Sequence, residues 1–253
     1  MKIIKQSVLI KNTEWLTRAL QGIEYAARIS HRSEDGQTES SAEKFIQTVV
    51  IDRGDWSVVE HVHAQVEFVV DRGITHEIVR HRLFSYTQES TRFVNYKKKM
   101  PPLFIYPQVG VECPHCLAGD EPAKRRIGFD IWEHYIDNPI KGLYPETIPC
   151  VYNNAWLDTI NQDEIAYKQL LDDGWRPQEA RSVLPNALSS KLLMTGNLRN
   201  WRHFFLMRST KQAHPQMREV VIPLLAQFKE LVPVLFDDIN PDSSQIENVR
   251  KGG

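Results

Sequence analysis

Apolar residues along this chain recur at two spacings, about 3.6 and 2 residues, and the switches between them outline a succession of elements. Over residues 13–29, Trp15 or Leu16, then Ala19, Leu20, Ile23, Ala26 and Ala27 share one face at helical spacing, after Asn12 or Thr13, either of which can cap a helix. Residues 33–40 are polar and read as a loop, and Ser40 or Ser41 opens a helix predicted to run through Ile51. Val62, Ala64, Val66, Phe68 and Val70 then alternate with His63, Gln65, Glu67 and Val69, which predicts a strand. From Ile74 the period returns to that of a helix, with Ile74, Ile78, Val79 and Leu83 on one side. The stretch 97–122 breaks this order: three Lys are followed by Pro101, Pro102, Pro107, Pro114 and Pro122, and it reads as a long irregular excursion. Helices are predicted over 123–137, over 163–173 with Gly174 as terminator, and from Pro177 to Val183. A second strand is predicted over 187–195, then helices over 199–210 and 215–236, the last open to a kink or cut at Pro223 and Pro233. There is no internal repeat and no low-complexity segment.

This succession predicts an α+β fold: a single domain over 1–253, with a small mixed or antiparallel sheet packed with long helices, and 240–253 as a flexible tail. The 253 residues suffice to bury a substantial core. No apolar run approaches the roughly 18 residues that span a bilayer. The N-terminal MKIIKQSVLI is interrupted by Lys and Gln and lacks a small-residue cleavage site, so no secretory signal and no membrane association are expected. Three cysteines, Cys113, Cys116 and Cys150, make no disulfide framework, and the expected location is cytoplasmic. With 31 basic and 32 acidic residues, the net charge of −1 argues against a general nucleic-acid binder.

The positive charge is nevertheless concentrated. Arg80-His81-Arg82-Leu-Phe-Ser85-Tyr86-Thr87-Gln88-Glu89-Ser90-Thr91-Arg92 gathers three Arg, one His and several hydroxyls. The guanidinium fork matches phosphate and carboxylate oxygens. Were the helix from Ile74 to continue here, Arg80 and Arg82 would point about 200° apart and serve different anions. Taken alone, a solvated basic helix end is the plainer account of this cluster. A second basic stretch spans 197–218, with Asn197, Arg199, Arg202, His203, Arg208, Lys211, His214 and Arg218 and no acidic residue. Its apolar positions, Leu198, Trp201, Phe204, Phe205 and Met207, predict a buried helix, so some of these Arg must find anions within the protein or in a ligand. Arg181, just after a helix start, is a third candidate.

Neither GxGxxG nor GxxxxGK[ST] is present, so a phosphate-bearing ligand must be held mainly by Arg side chains. GxSxG and HExxH are absent too. Cys113-Pro-His-Cys116 is half a zinc site without a second pair, even counting His115, His134 and Cys150, and no metal is expected.

The arrangement Arg80-His81-Arg82, seven residues, Ser90 resembles the signature of the flavin-dependent thymidylate synthases. Ser57-Val-Val-Glu60-His61 resembles the family's preceding segment, and Ser85, Tyr86 and Arg92 fit in and after the signature. Ala180-Arg181-Ser-Val-Leu-Pro185, Asn197-x-Arg199, Phe205-Leu-Met-Arg208 and Ala213-His-Pro-Gln-Met-Arg218 resemble later segments in the same order. The likeness spans about 20–236. It departs from the pattern at Asp55, where many members have His, at Glu77, where some have Gln, and at Gln88, where some have Glu; at His203 members alternate between Asn and His.

The resemblance implies conversion of dUMP to dTMP with methylenetetrahydrofolate as one-carbon donor, FAD as redox carrier and NADPH as reductant. It places Ser57, Arg80, His81, Arg82, Gln88, Asn197, Arg199 and His203 at FAD. It places Glu77, Arg80, Gln88, Glu89, Ser90, Thr91, Arg92 and Arg181 at dUMP, with Arg208 as the catalytic residue on the uracil ring. It further implies a homotetramer with shared active sites, in which Arg80 and Arg82 can point apart and both serve. The chemistry agrees: uracil C5 is a weak nucleophile until the ring carries negative charge, and a fixed Arg stabilises that charge. No Cys lies in the matched motifs, so no covalent thiolate is required, and Ser90 reads as a hydrogen-bond donor rather than a nucleophile. Two other readings remain open from the residues alone. One is a cysteine-dependent thymidylate synthase using Cys150. The other is a non-catalytic nucleotide or RNA binder using Arg80, Arg82, Arg92 and Lys97 to Lys99.

Overall fold

The computed structural model describes residues 2–98, 100–107 and 154–243. They gather into two compact units, each assembled from separated stretches of chain. Helix and strand are mixed, as the α+β expectation requires. The predicted helix 123–137, Cys113, His115, Cys116, His134, Cys150 and residues 244–253 lie outside the described residues. Residues 240–243 are anchored: the Ser243 N–H reaches the Asn240 carbonyl at 3.2 Å, and Ser243 is buried.

The larger unit carries 8–68, 77–87 and the described residues from 192 onward. Its helix prediction over 13–29 breaks into α1 (Thr13–Leu16) and α2 (Ala19–Ile29), and at the break the Thr17 hydroxyl donates to the Glu14 carbonyl at 2.8 Å. The helix from Ser41 starts as α3 (Ala42–Ile46), and its expected second half is a π-helical turn over Gln47–Asp52. Most of a four-stranded sheet falls in this unit: β2 (Ser7–Ile10), β3 (His63–Asp71), β4 (Ser85–Gln88) and β6 (Ser189–Asn197), in the order β2-β3-β6-β4. In β3 the predicted alternation holds, with Ala64, Val66, Phe68 and Val70 fully buried. Strands β2 and β4 were not signalled by the pattern. Strand β4 is the polar sequence Ser-Tyr-Thr-Gln at a sheet edge, with no apolar alternation.

The helix from Ile74 is α4 (Arg72–Ile78), of which Glu77 and Ile78 belong to this unit, and it stops before Arg80. A reason is visible at its end. The Tyr86 hydroxyl lies 2.7 Å from the His81 carbonyl and 3.0 Å from the Ile78 carbonyl, so its one proton is shared between, or given to one of, the acceptors left open at the helix end. Leu83, expected on the apolar side, is exposed. Two helices complete this unit, α7 (Leu198–Arg208) and α8 (Pro215–Leu231), each shorter than predicted; Pro223 lies inside α8, and Pro233 follows its end. An aromatic cluster makes the core. Trp201 packs on Phe228 at 5.3 Å and Phe84 at 5.0 Å, Phe228 on Phe236 at 5.3 Å, and the Trp201 indole N–H donates to the Ala64 carbonyl at 3.1 Å. Such ring pairs contribute about 0.5–1.5 kcal/mol each beyond their buried area.

The smaller unit carries 2–7, 69–76 and the described residues between 88 and 191. The excursion at 97–122 contains a strand that was not expected: β5 (Leu103–Ile105) pairs in parallel with β1 (Lys2–Ile4). Helix α5 (Asn154–Asp172) begins nine residues ahead of its predicted start at 163 and stops before Gly174, whose φ of 90° suits glycine. Helix α6 (Pro177–Ala180) continues as a 3-10 turn over Arg181–Val183. Tyr96, Phe104, Ile160, Tyr167, Ala180 and Leu188 form the core. The Asp71 carboxylate caps α4 by accepting the Ile74 N–H at 2.7 Å.

Candidate active site

In the larger unit, three predicted residues from distant parts of the chain meet around one guanidinium. Arg208 ends α7 on the same side as Trp201, Phe204 and Phe205, which lock the helix into the aromatic core. Its Nε–H donates to His81 Nε2 at 2.9 Å, its Nη1 to Glu77 Oε2 at 3.0 Å, and its Nη2 to the Glu77 carbonyl at 3.2 Å. Both charged side chains are partly exposed, Arg208 at 23% and Glu77 at 35%, so the cation is accessible and held at once.

His81 is uncharged near neutral pH. Burial, then the positive charge of Arg208 and of His203, brings its pKa from an ordinary 6.5 down to about 4. Because Nε2 accepts the Arg208 proton, the imidazole proton resides on Nδ1. The ring lies edge-on to Phe204 at 4.9 Å and 6.1 Å from the exposed His203. Its backbone is tied by Tyr86, whose phenol burial pushes upward in pKa and so keeps protonated.

Arg80 and Arg82 flank His81 in the turn between α4 and β4, not on a helix, so the helical angle between them does not apply. Both are exposed, and neither pairs with an acid among the described residues. The turn is braced from below. The Asn200 amide donates to the Leu83 carbonyl at 3.0 Å, and Phe84 lies against Gly196 so closely that a Cβ there would meet the ring at 2.3 Å.

The remaining larger-unit candidates have varied surroundings. Asn197 caps α7, its side chain accepting the Asn200 N–H at 2.8 Å. Arg199 pairs with Glu60 at 2.6 Å on the surface. Ser57 is exposed in the 3-10 turn Trp56–His61. Arg202 is the buried cation that the sequence required to find an anion: it binds Asp238 through two nitrogens at 2.7 and 2.6 Å and lies 4.8 Å from the Trp56 ring.

In the smaller unit, Arg181 Nη1 donates to the Thr91 hydroxyl at 3.1 Å. The Gln88 amide donates to Thr75 at 3.0 Å and Ser190 at 3.1 Å. Glu89 accepts from Tyr96 at 3.0 Å; burial, then the Glu89 carboxylate, raises that phenol's pKa. Ser90 accepts the Arg92 N–H at 3.3 Å, and Arg92 lies 5.4 Å from the Phe93 ring. Thr75, Ser190, Tyr96, Asn200 and Asp238 support candidate residues, yet sequence reading did not find them. They carry no motif, and most of these contacts join residues far apart in the chain.

A family model described as thymidylate synthase complementing protein matches residues 9–234. A flavin-dependent thymidylate synthase of Mycobacteroides abscessus is 30% identical over 233 residues, covering 90% of this chain and 83% of that protein. The chain belongs to the flavin-dependent thymidylate synthase family. Another flavin-dependent thymidylate synthase, from Corynebacterium efficiens, is 31% identical over 204 residues, covering 80% of this chain and 70% of that protein. Among solved structures, a UMP/dUMP methylase, PolB from Streptomyces cacaoi, bound with 5-Br dUMP, shares the fold with a TM-score of 0.65 at 20% identity, covering 94% of this chain and 96% of that one. Every candidate from Ser57 to Arg208 lies within the family match. This flavin-dependent thymidylate synthase family member is thus an enzyme whose motif residues His81 and Arg208 are in direct contact.

Proposed function

We propose that this enzyme methylates dUMP to dTMP, with FAD as cofactor, methylenetetrahydrofolate as one-carbon donor and NADPH as reductant, and without a Cys nucleophile. The observation that carries the reading is the fixed, partly exposed Arg208. Three of its five N–H donors are taken by His81 and Glu77, which leaves two for a ligand. Aimed at a uracil oxygen, they stabilise negative charge on the ring, which raises the nucleophilicity of C5. Arg rather than Lys keeps the charge at every working pH.

The fit to a flavin dinucleotide rests on Arg80 and Arg82. Two exposed guanidiniums without acidic partners among the described residues suit a diphosphate, in a chain with no glycine-rich phosphate loop. Ser57, His81, Gln88, Asn197, Arg199 and His203 are assigned to the same cofactor. The bound flavin supplies the redox chemistry. Glu77, Arg80, Gln88, Glu89, Ser90, Thr91, Arg92 and Arg181 are assigned to dUMP. The donors on Ser90 and Thr91 and the guanidiniums of Arg92 and Arg181 suit its phosphate.

We take the active form to be a cytoplasmic homotetramer with shared sites, built on a single domain. Among the described residues no helix is long and apolar enough to cross a membrane. The purified protein is expected to be yellow, with flavin absorbance at about 450 nm, a property of the cofactor. A colourless protein that stays colourless on adding FAD, and binds RNA in a strongly salt-dependent way, would overturn the reading.

A further inference from the structure

We infer that His81 and Glu77 are positioning residues for Arg208: they hold the guanidinium in place before any ligand arrives and act on the reaction through it. The inference rests on the proposed role of Arg208 and adds to it.

Three observations carry it. First, the contacts are complementary and occupy different nitrogens. A single imidazole takes Nε–H, while the Glu77 side chain and its own carbonyl take one proton from each terminal nitrogen. An Arg side chain is long and rich in rotamers, and three contacts remove most of that freedom in advance. Second, the holders are themselves held. Tyr86 fixes the backbone of His81, Phe204 fixes its ring, and Glu77 sits in the last turn of α4. Third, the histidine is in the state the task needs. Only a neutral imidazole accepts a hydrogen bond; a protonated one would turn an N–H toward the Arg208 N–H and repel it. The titratable or charged side chains that bear on His81 are Arg208 and His203 of α7, and Glu77 of α4 pairs with the same guanidinium.

The two holders differ in what they add. His81 contributes an acceptor and no charge. Glu77 contributes an acceptor and a negative charge that offsets part of the Arg208 field. In chain position His81 lies between Arg80 and Arg82, so the same three-residue motif would serve both the phosphate-binding turn and the ring-binding arginine.

A double-mutant cycle on the flavin-loaded enzyme tests this, with dTMP formation normalised to bound flavin. In the otherwise unaltered enzyme, His81→Leu is expected to lower kcat tenfold or more, and His81→Gln, which keeps an acceptor near the position of Nε2, to recover part of that loss. In an Arg208→Ala background, the factor lost on His81→Leu is expected to be at least about fivefold smaller than in the unaltered enzyme, the difference being the part of its effect that runs through Arg208. Glu77→Ala should follow the same pattern, with Glu77→Gln intermediate. Equal losses in both backgrounds, or no recovery with Gln, would overturn the positioning role. If Arg208→Ala itself kept full turnover, the proposed role of Arg208 would fail instead, so the two failures are distinguishable.

Discussion

Two sets of arginines meet at His81. Arg80 and Arg82 flank it along the chain, exposed and without acidic partners among the described residues. Arg208 touches it in space and is clamped on three nitrogens. A guanidinium that must neutralise a phosphate gains from being left open, because the ligand brings the counter-charge. One that must stabilise charge developing on a ring gains from being fixed beforehand, because reorganisation during the reaction costs rate. The same residue type is therefore handled in opposite ways by the two surroundings.

The comparison can be broken at several points. Arg208→Ala is expected to lower dTMP formation by about 10²–10³-fold, the usual loss when one fixed charge-stabilising donor is removed. Single Arg80→Ala and Arg82→Ala changes should weaken flavin or nucleotide binding by about ten- to a hundredfold, the value of one charged hydrogen bond. Their thermal stability without ligand should stay within about 0.5 kcal/mol, as for surface changes generally. Equal destabilisation by the open and the clamped arginine variants would erase the distinction. Gly196→Ala forces a methyl into the Phe84 ring and is expected to destabilise by about 1–3 kcal/mol, disturbing the turn that carries Arg80 to Arg82. Denaturant unfolding would measure it.

A pH effect follows from His81. The unfolded chain takes a proton there near pH 6.5, whereas the folded chain resists until about pH 4. Between those values the unfolded state binds more protons, so stability falls as the pH drops through this window and levels off below it. In His81→Gln this contribution to the slope of stability against pH disappears. The smallest effect is expected for Arg199→Ala. Its pair with Glu60 is exposed on both sides, and its loss should cost no more than about 1 kcal/mol.

How much of this was legible in the sequence depends on distance along the chain. Strand β3 and helix α7 announced themselves through local periodicity, and the α+β class followed from them. The end of α4 at Ile78 did not, because it is set by the Tyr86 hydroxyl and by a polar edge strand without apolar alternation. The N-terminal strand β1 and its partner β5 were hidden for a similar reason: three-residue strands are too short to show a period, and each needs the other. At the site, the Arg80 to Ser90 motif pointed to the family, and the later segments around Arg181, Asn197 and Arg208 supplied further candidate residues. The clamp on Arg208 was not visible, since His81 and Arg208 lie 127 positions apart and nothing local marks them as neighbours. Arg202 is the intermediate case. Its apolar neighbours required that it find an anion, but only the fold identifies Asp238 as that anion.

The most direct test of the account is to supply the flavin-loaded protein with dUMP, methylenetetrahydrofolate and NADPH and to measure dTMP by mass spectrometry, omitting one component at a time. The account predicts dTMP only when all are present, and undiminished formation in a Cys150→Ala variant. No dTMP from the complete mixture, or complete loss with Cys150→Ala, would contradict it.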